Sequence, residues 1–440
     1  MKFTSRQSVP FPGSTPLHAS RPHVLIVSEG ALWPADQGYR VHGAQIARAL
    51  RGSGLSVAVT SLQAPPADAP RWLREMHLDW PAATSEAASL FRRGWAGPAR
   101  PLRDRIARYH GATPERLGGL VPLVRHHRPR VVLALGQRGP VMLTGIREAA
   151  GDALRLWYAA DEPCYFHLSC LPREAADRWP RRLRAALMSL GLERSFAAGV
   201  DGAIGVSSLD TRLLRTLGGA PAATTIRNGV DLGTWRPAPT RAEPDSLIFW
   251  GRMDFEPNID AVTWFAHTVW PTLRQRHPRA TWRIVGKRPA PAVRELGAIP
   301  GIDVTGEVDD IRPYARRAAA VVLPMRCGGG IKNKLLEAAA LARPIVASPR
   351  TIRDLTLPQP RPIAVCRSPE SWADAIERIW QQPDHAAKLG QAARQWVKTH
   401  HTWSGAADRL LAFAASLMPL RARLQPVSRK PLDCGLDEAA

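Results

Sequence analysis

Val321–Ser348 reads VVLPMRCGGGIKNKLLEAAALARPIVAS. Its opening residues are apolar and β-branched, which predicts a short buried strand. Three glycines follow, Gly328, Gly329 and Gly330, and KNKLLEAAALA predicts a helix directly behind them. Pro344–Ser348 then predicts the next strand. Strand, glycine loop, helix, strand is the repeating unit of a doubly wound parallel sheet. Glycines at such a turn let the backbone approach a ligand. The exposed N–H groups of the helix start, with the helix dipole, favour an anion such as a diphosphate. Lys334 and Glu337 lie three residues apart and share a helix face. A cation beside the phosphates and a carboxylate one turn deeper suit a nucleoside diphosphate, with Lys334 on the diphosphate and Glu337 on the ribose hydroxyls. A glycine turn with a surface Lys–Glu pair would read the same way.

The alternation extends in both directions. Leu247–Trp250, Trp282–Val285, Ile302–Thr305 and Ile363–Cys366 predict further strands, with helices at Ile259–His277, Ile311–Ala319, Lys332–Leu341 and Pro369–Gln381. Upstream, strands are predicted at His23–Ser28, Leu55–Thr60, Val131–Leu135, Leu154–Ala160, Gly202–Val206 and Thr224–Ile226, with helices at Val41–Arg51 and Arg173–Phe196. Between Gln63 and Arg130 the pattern loosens into Pro- and Arg-rich helical pieces. Thr234–Asp245 (TWRPAPTRAEPD) reads as a linker. The expected organisation is a disordered leader over 1–20, an N-terminal Rossmann-like α/β domain over 21–235 and a C-terminal one over 236–402. A helix over 403–417 is expected to pack back near the N-terminal domain, ahead of a flexible tail over 418–440. Two such domains imply a cleft, with ligands at the carboxyl ends of the strands facing it. Arg252, directly after Trp250–Gly251 at the end of the second domain's first strand, is a further phosphate candidate.

With 440 residues, 45% of them hydrophobic, the chain suits two or three globular domains, and wholesale disorder is excluded. No run reaches the roughly 18–20 apolar residues of a membrane span. The start, MKFTSRQSVPFPGSTPLHAS, has no apolar stretch behind Lys2 and Arg6 and does not read as a signal peptide. The net charge is +22; seven of the basic residues are lysine and 53 arginine. Such a charge attracts phosphates, anionic lipid and acidic polymers. The arginines are spread through the chain instead of forming one aromatic-laced stripe, so no nucleic acid is expected as partner. The five cysteines (164, 170, 327, 366 and 434) are odd in number and lack C-x2-C spacing, which argues against a disulfide framework or a zinc site and fits a reducing cytoplasm. No Ser/His/Asp or Cys/His set emerges. Asp161 and Glu162, behind the strand Leu154–Ala160, could orient an acceptor hydroxyl; a polar loop capping a helix is the plainer account.

Five stretches in order resemble glycosyltransferase family 4: TIRNGVD (Thr225–Asp231), FWGRMDFEPNIDAVTWF (Phe249–Phe265), WRIVG (Trp282–Gly286), VTGEVDDIRPY (Val304–Tyr314) and GGGIKNKLLE (Gly328–Glu337). Within that family they look most like the sugar transferases of bacterial exopolysaccharide loci linked to exosortase (PEP-CTERM) systems. The similarity covers nearly all of Arg21–Leu417, densely from Asn228 to Ser348 and thinly from Gln63 to Arg130. The resemblance implies a GT-B architecture, two Rossmann-like domains facing across a cleft. It also implies retaining transfer from a nucleoside-diphosphate sugar, without metal ion or other cofactor. Carried over by position, Arg252 and Lys334 neutralise the leaving diphosphate and Glu337 holds the ribose. The backbone from Gly306 to Val308 borders the base, Gly328, Gly329 and Gly330 touch the distal phosphate and sugar, and Gly38 lets the first domain's backbone close over the diphosphate. The departing phosphate oxygen can take the acceptor proton itself, so no catalytic side chain is nominated.

Two departures stand out. Many members carry glutamates eight positions apart, whereas here Gly329 precedes Glu337. Many also carry a histidine after the third strand; here that loop reads Gly136, Gln137, Arg138, with Gln137 left as a hydrogen-bond donor. His126 and His127 lie at the strand's other end. The acceptor is expected to be a saccharide, or one that is lipid-linked. The basic pieces Phe91–Arg108 and Asp177–Arg194, with Trp95 and Trp179, would suit contact with anionic headgroups at the inner face of the cytoplasmic membrane. The rival readings are a sugar-nucleotide epimerase or hydrolase of the same fold, and a catalytically silent binding or assembly partner.

Overall fold

The computed structural model describes residues 21–34 and 38–418; the expected leader and the tail beyond 418 lie outside the described residues. The chain divides into two compact units. Among the described residues, one takes in those up to Cys164, Leu187–Ile226 and those from Trp403 on; the other takes in Tyr165–Ala186 and Arg227–Thr402.

The first unit is built on β1 (Val24–Ser28), β2 (Val57–Ser61), β3 (His77–Asp79), β4 (Val131–Leu135), β5 (Leu154–Ala160), β6 (Gly202–Gly205) and β7 (Ala223–Thr225). They form one parallel sheet in the order β3-β2-β1-β4-β5-β6-β7. VLIVS and VVLAL are buried throughout, as strands covered on both faces must be. The helices Gly38–Gly52 and Trp403–Leu417 share one core, with Ile46, Leu50, Trp403 and Leu410 buried against β1 and β4. On the other face, Phe91, Trp95, Ile106 and Leu117 from the loosely patterned stretch pack with Phe196. The edge strand β3 escapes a periodicity reading because its three residues, His77, Leu78 and Asp79, are short of apolar signal and none is fully buried.

The second unit holds β8 (Ser246–Trp250), β9 (Thr281–Val285), β10 (Ile302–Gly306), β11 (Ala320–Leu323), β12 (Ile345–Ala347) and β13 (Ala364–Val365), again all parallel, in the order β10-β9-β8-β11-β12-β13. Phe249, Phe265, Trp270, Trp282 and Trp372 fill its core, the Phe265 and Trp282 rings 4.7 Å apart. The helix expected over Ile259–His277 is two, Glu256–Thr268 and Trp270–Arg276. Pro271 has no N–H for the helical bond and its ring crowds the preceding turn, so the chain breaks there.

The stretch 165–186 belongs to this second unit, not the first. Phe166 stacks on Phe255, ring centroids 5.9 Å apart, and Arg182 pairs with Glu174 at 2.5 Å and with Glu256. The helix expected from Arg173 begins only at Trp179, after short 3-10 turns at Leu171–Arg173 and Ala176–Arg178. Likewise the second unit starts at Arg227, ahead of the expected cut at 235, because Val230 is buried in its core and Trp235 stacks on Trp250.

Candidate functional site

In the second sheet the strand order reverses between β8 and β11, and the carboxyl ends of these two strands mark its switch point. β8 delivers Trp250, Gly251 and Arg252 there. β11 delivers the glycine loop and the helix Asn333–Ala340. Gly328 (φ +89°) and Gly330 (φ +64°) occupy the left-handed region that glycine alone enters without cost. The helix begins without a side-chain cap and without an acidic residue in its first turn. Its first N–H groups therefore have no side-chain acceptor, and its dipole favours a bound anion. Two helices of the unit are capped, Pro349–Ile352 by Ser348 and Pro369–Gln381 by Ser368, whereas Glu256–Thr268 and Pro383–His400 also start without a side-chain cap.

Asn228 fixes where this helix starts. Its Nδ2 donates to Asn333 Oδ1 at 2.8 Å and to the Ile331 carbonyl at 3.3 Å. Its own carbonyl lies 2.8 Å from His401 Nδ1. Asn228→Ala leaves Asn333 and the Ile331 carbonyl without this donor inside the protein, an expected loss of about 1–3 kcal/mol in denaturant unfolding. Wild-type stability in this variant would contradict the role.

Lys334 and Glu337 do share a face, and each has a partner. Lys334 Nζ donates to Asn258 Oδ1 at 2.7 Å and sits 3.9 Å from the centroid of the Phe249 ring. Asn258 Nδ2 in turn donates to the Arg252 carbonyl at 2.7 Å, tying the helix to the end of β8. Trp250 Nε1 donates to Glu337 Oε2 at 2.8 Å. Burial pushes the Lys334 ammonium down to about 7 and the Glu337 carboxyl up to about 7; each group's charge draws the other back toward ionisation. Folded Glu337 thus keeps its proton until about pH 7, while unfolded it loses it near 4.5. The stability tied to this carboxyl is complete below about pH 4.5 and is lost as the pH rises to about 7. Glu337→Gln should accordingly gain on the wild type in unfolding midpoint across that window. A difference that is flat or shrinks with rising pH would contradict the assignment.

Arg252 Nε donates to Asp254 Oδ1 at 2.9 Å, so its guanidinium is turned onto its own loop. β10 ends at Gly306 (φ +75°), and a cavity of about 420 Å³ lies along this strand, lined by Pro289, Arg294, Gly297, Thr305 and Gly306. Val308, two residues on, packs against the unit's core. Gly329 is half-buried in the loop, and Lys332 Nζ donates to its carbonyl. Local pattern did not single out Asn228, Trp250, Asn258 or Lys332. All four sit inside motifs already quoted, but the partners of the first three are distant in sequence.

In the first unit, Gly38 opens the helix Gly38–Gly52, and a side chain added there would meet nothing within 4 Å. Gln137 Nε2 donates to Ser189 Oγ at 2.7 Å. Asp161 follows β5 and is partly exposed. Glu162 corrects its sequence reading: it is fully buried, its N–H donates to Asp210 Oδ1 at 3.1 Å, and its charge acts on the buried Glu193 carboxyl. Burial, together with the Glu162 charge, holds Glu193 well above the usual carboxylate range. Glu162 is an interior acid that an acceptor hydroxyl does not reach. Among the described residues no group of three or more His, Cys, Asp or Glu side chains could hold a metal ion.

Residues 244–382 match the family model described as glycosyl transferases group 1. Over 249 residues the chain is 25% identical to the GDP-mannose-dependent alpha-(1-6)-phosphatidylinositol monomannoside mannosyltransferase of Mycobacterium tuberculosis. That match covers 50% of this chain, and the chain spans 63% of the length of that relative. In structure it is similar to the sucrose-phosphate synthase of Thermosynechococcus elongatus, with a TM-score of 0.64 at 16% identity over 89% of this chain and 98% of the other. It is also similar to Anabaena HepE in complex with UDP and glucose, with a TM-score of 0.62 at 13% identity over 90% and 100%. At these identities the structural likeness establishes the fold, which is GT-B, and the sequence match identifies residues 244–382 as a glycosyl transferases group 1 region.

Proposed function

We propose that the chain is a retaining, metal-independent glycosyltransferase that moves a sugar from a nucleoside-diphosphate sugar to a saccharide or lipid-linked acceptor. The observation that carries this reading is the uncapped helix start behind Gly328–Gly330, with Lys334 and Glu337 on the following turn. The diphosphate would lie on the helix's free N–H groups. A bound anion would draw Lys334 back to its charged form, and Lys334 would then stabilise the departing diphosphate. Arg252, released from Asp254, would add a second cation. Glu337, steadied by Trp250, would accept from the ribose hydroxyls. Asp161 and Gln137 remain the acceptor-side candidates. The GDP-mannose of the mycobacterial relative and the UDP of the HepE complex support a nucleoside-diphosphate hexose as the donor class. The motifs from Asn228 to Ser348 support a role in bacterial exopolysaccharide or cell-envelope glycan synthesis, with the enzyme in the cytoplasm at the inner membrane face.

No helix among the described residues is long and apolar enough to cross a membrane. Trp179 and Leu183, one helical turn apart, are 43% and 41% exposed, with the exposed Arg181 and Arg184 beside them. An apolar pair flanked by arginines suits an anionic headgroup layer and supports peripheral contact. Co-sedimentation with phosphatidylglycerol vesicles, lost in a Trp179→Ala/Leu183→Ala double variant, is the expected result; wild-type protein left in the supernatant would remove this part of the proposal.

Purified protein incubated with UDP- and GDP-sugars and a set of saccharide and polyprenyl-linked acceptors tests the reaction. Nucleoside diphosphate release matched to a new glycoside, its anomeric configuration kept, is expected. Free sugar or an epimer formed without acceptor would indicate the hydrolase or epimerase. Nucleotide binding without product from any donor would indicate the silent partner, which Gly329 and the histidine-free loop after β4 favour.

A further inference from the structure

Two thiols meet beside the glycine loop. Cys170 ends the helix Pro163–Cys170, and Cys327 immediately precedes Gly328. Ser169 and Gly328, the chain neighbours of Cys170 and Cys327, are hydrogen-bonded at 3.2 Å, and the two thiols act on each other, so residues remote in sequence are brought together. Both are almost fully buried. The segments that carry them are already fastened to each other. The Gly328 N–H donates to Ser169 Oγ at 3.2 Å, and Arg350 donates to the Gly328 carbonyl at 3.0 Å while lying over the Tyr165 ring. A bond between the sulfurs would therefore join two pieces that are held in place without it.

The other buried thiols do not share this setting. Cys164 is pushed up to about 12 and Cys366 to about 11, both chiefly by burial. Cys170 moves the other way, to about 7, through the Cys327 thiol with help from the Ser169 hydroxyl and the Arg182 charge. Donor binding, as read above, uses neither sulfur.

We propose that Cys170 and Cys327 are a redox-modification site, forming a reversible disulfide that ties the glycine loop to the helix Pro163–Cys170. With oxidised glutathione as the oxidant, the Cys170 thiolate attacks one glutathione sulfur, the glutathione S–S bond breaks, and the departing glutathione thiolate takes up the proton that Cys170 gave away. Cys327 then attacks the Cys170 sulfur of the mixed disulfide, and its proton leaves with the second glutathione. Two protein thiols and one glutathione disulfide become one protein disulfide and two glutathiones; a dithiol reductant runs the sequence backwards. One such pair is a switch within a reduced chain, unlike the disulfide framework that the cysteine spacing excludes.

The full chain, equilibrated in glutathione buffers of increasing oxidation, then unfolded, alkylated with iodoacetamide and digested without reductant, tests this with no donor present. The expected result is one cross-linked peptide pair carrying Cys170 and Cys327, two hydrogens lighter than the sum of the two thiol peptides and free of alkylation at both cysteines. Dithiothreitol should reverse it, and Cys170→Ser and Cys327→Ser should both lack it. Peptide mapping of the wild type alone decides the question if either variant folds poorly. A stable glutathione adduct on Cys170, a cross-link through another cysteine, or Cys170 and Cys327 thiols that are still alkylated after unfolding at every poise would overturn the proposal.

Discussion

Lys334→Ala should lower kcat/KM for the donor by about 10²–10³-fold, the usual loss when a group aimed at developing charge is removed. The drop should fall on KM as well as kcat, because the ammonium meets the bound diphosphate and also the charge it gains as the anomeric bond breaks. Lys334 is partly buried, hydrogen-bonded to Asn258 and set over Phe249, so it is held where an anion on the helix start would meet it. Lys334→Arg should not rescue the activity: the space beside Nζ is closed by Gly251, at which even a single added carbon would come within 3.0 Å of the ammonium. Steady-state kinetics with circular dichroism on both variants makes the measurement. A Lys334→Ala enzyme with full turnover and an intact fold would remove the residue from the site.

Gly286→Ala should cost the second unit about 3–5 kcal/mol, at the severe end for a single substitution. The glycines that end the strands β8, β9 and β10 meet side by side. Gly251 N–H donates to the Val285 carbonyl at 3.1 Å, and Gly286 N–H donates to the Gly306 carbonyl at 2.9 Å. A Cβ on Gly286 would stand 1.7 Å from the Gly251 carbonyl oxygen, on a backbone with φ +152°. The clash can be relieved only by moving the end of β8, and with it Trp250 and Arg252. Gly38→Ala, where the added carbon meets open space, is the control and should leave stability unchanged or slightly raised. Denaturant unfolding of both variants is the check; a Gly286→Ala protein as stable as the wild type would contradict the packing described.

The parts of this molecule legible in the sequence are those set by local pattern. The buried strands of both sheets announce themselves as apolar runs, since a parallel strand covered on two faces has no polar side to alternate with. The glycine loop, Lys334 and Glu337 were likewise readable, because a turn, a helix start and a three-residue spacing are all local. Whatever depends on partners far along the chain was not. The indole of Trp250 on Glu337, Asn258 between Lys334 and Arg252, and Asn228 on the helix start each join segments that no periodicity relates. The same holds for Tyr165–Ala186: its letters resemble the first unit's other basic pieces, and only the Phe166–Phe255 stack and the Arg182 ion pairs bring it to the second. Glu162 was misread for a related reason, since a charged residue after a strand looks solvent-facing until a second buried carboxyl is found against it.

The most direct measurement is the unfolding midpoint of the wild type, Lys334→Ala and Glu337→Ala against UDP, GDP and their sugar conjugates. A ligand that binds only the folded chain adds about 2.7 kcal/mol at ~100 times its Kd. The expected result is a clear upward shift with one nucleoside diphosphate family, abolished in both variants. No shift with any nucleotide, or a shift that survives both substitutions, would contradict a donor site on the helix Asn333–Ala340.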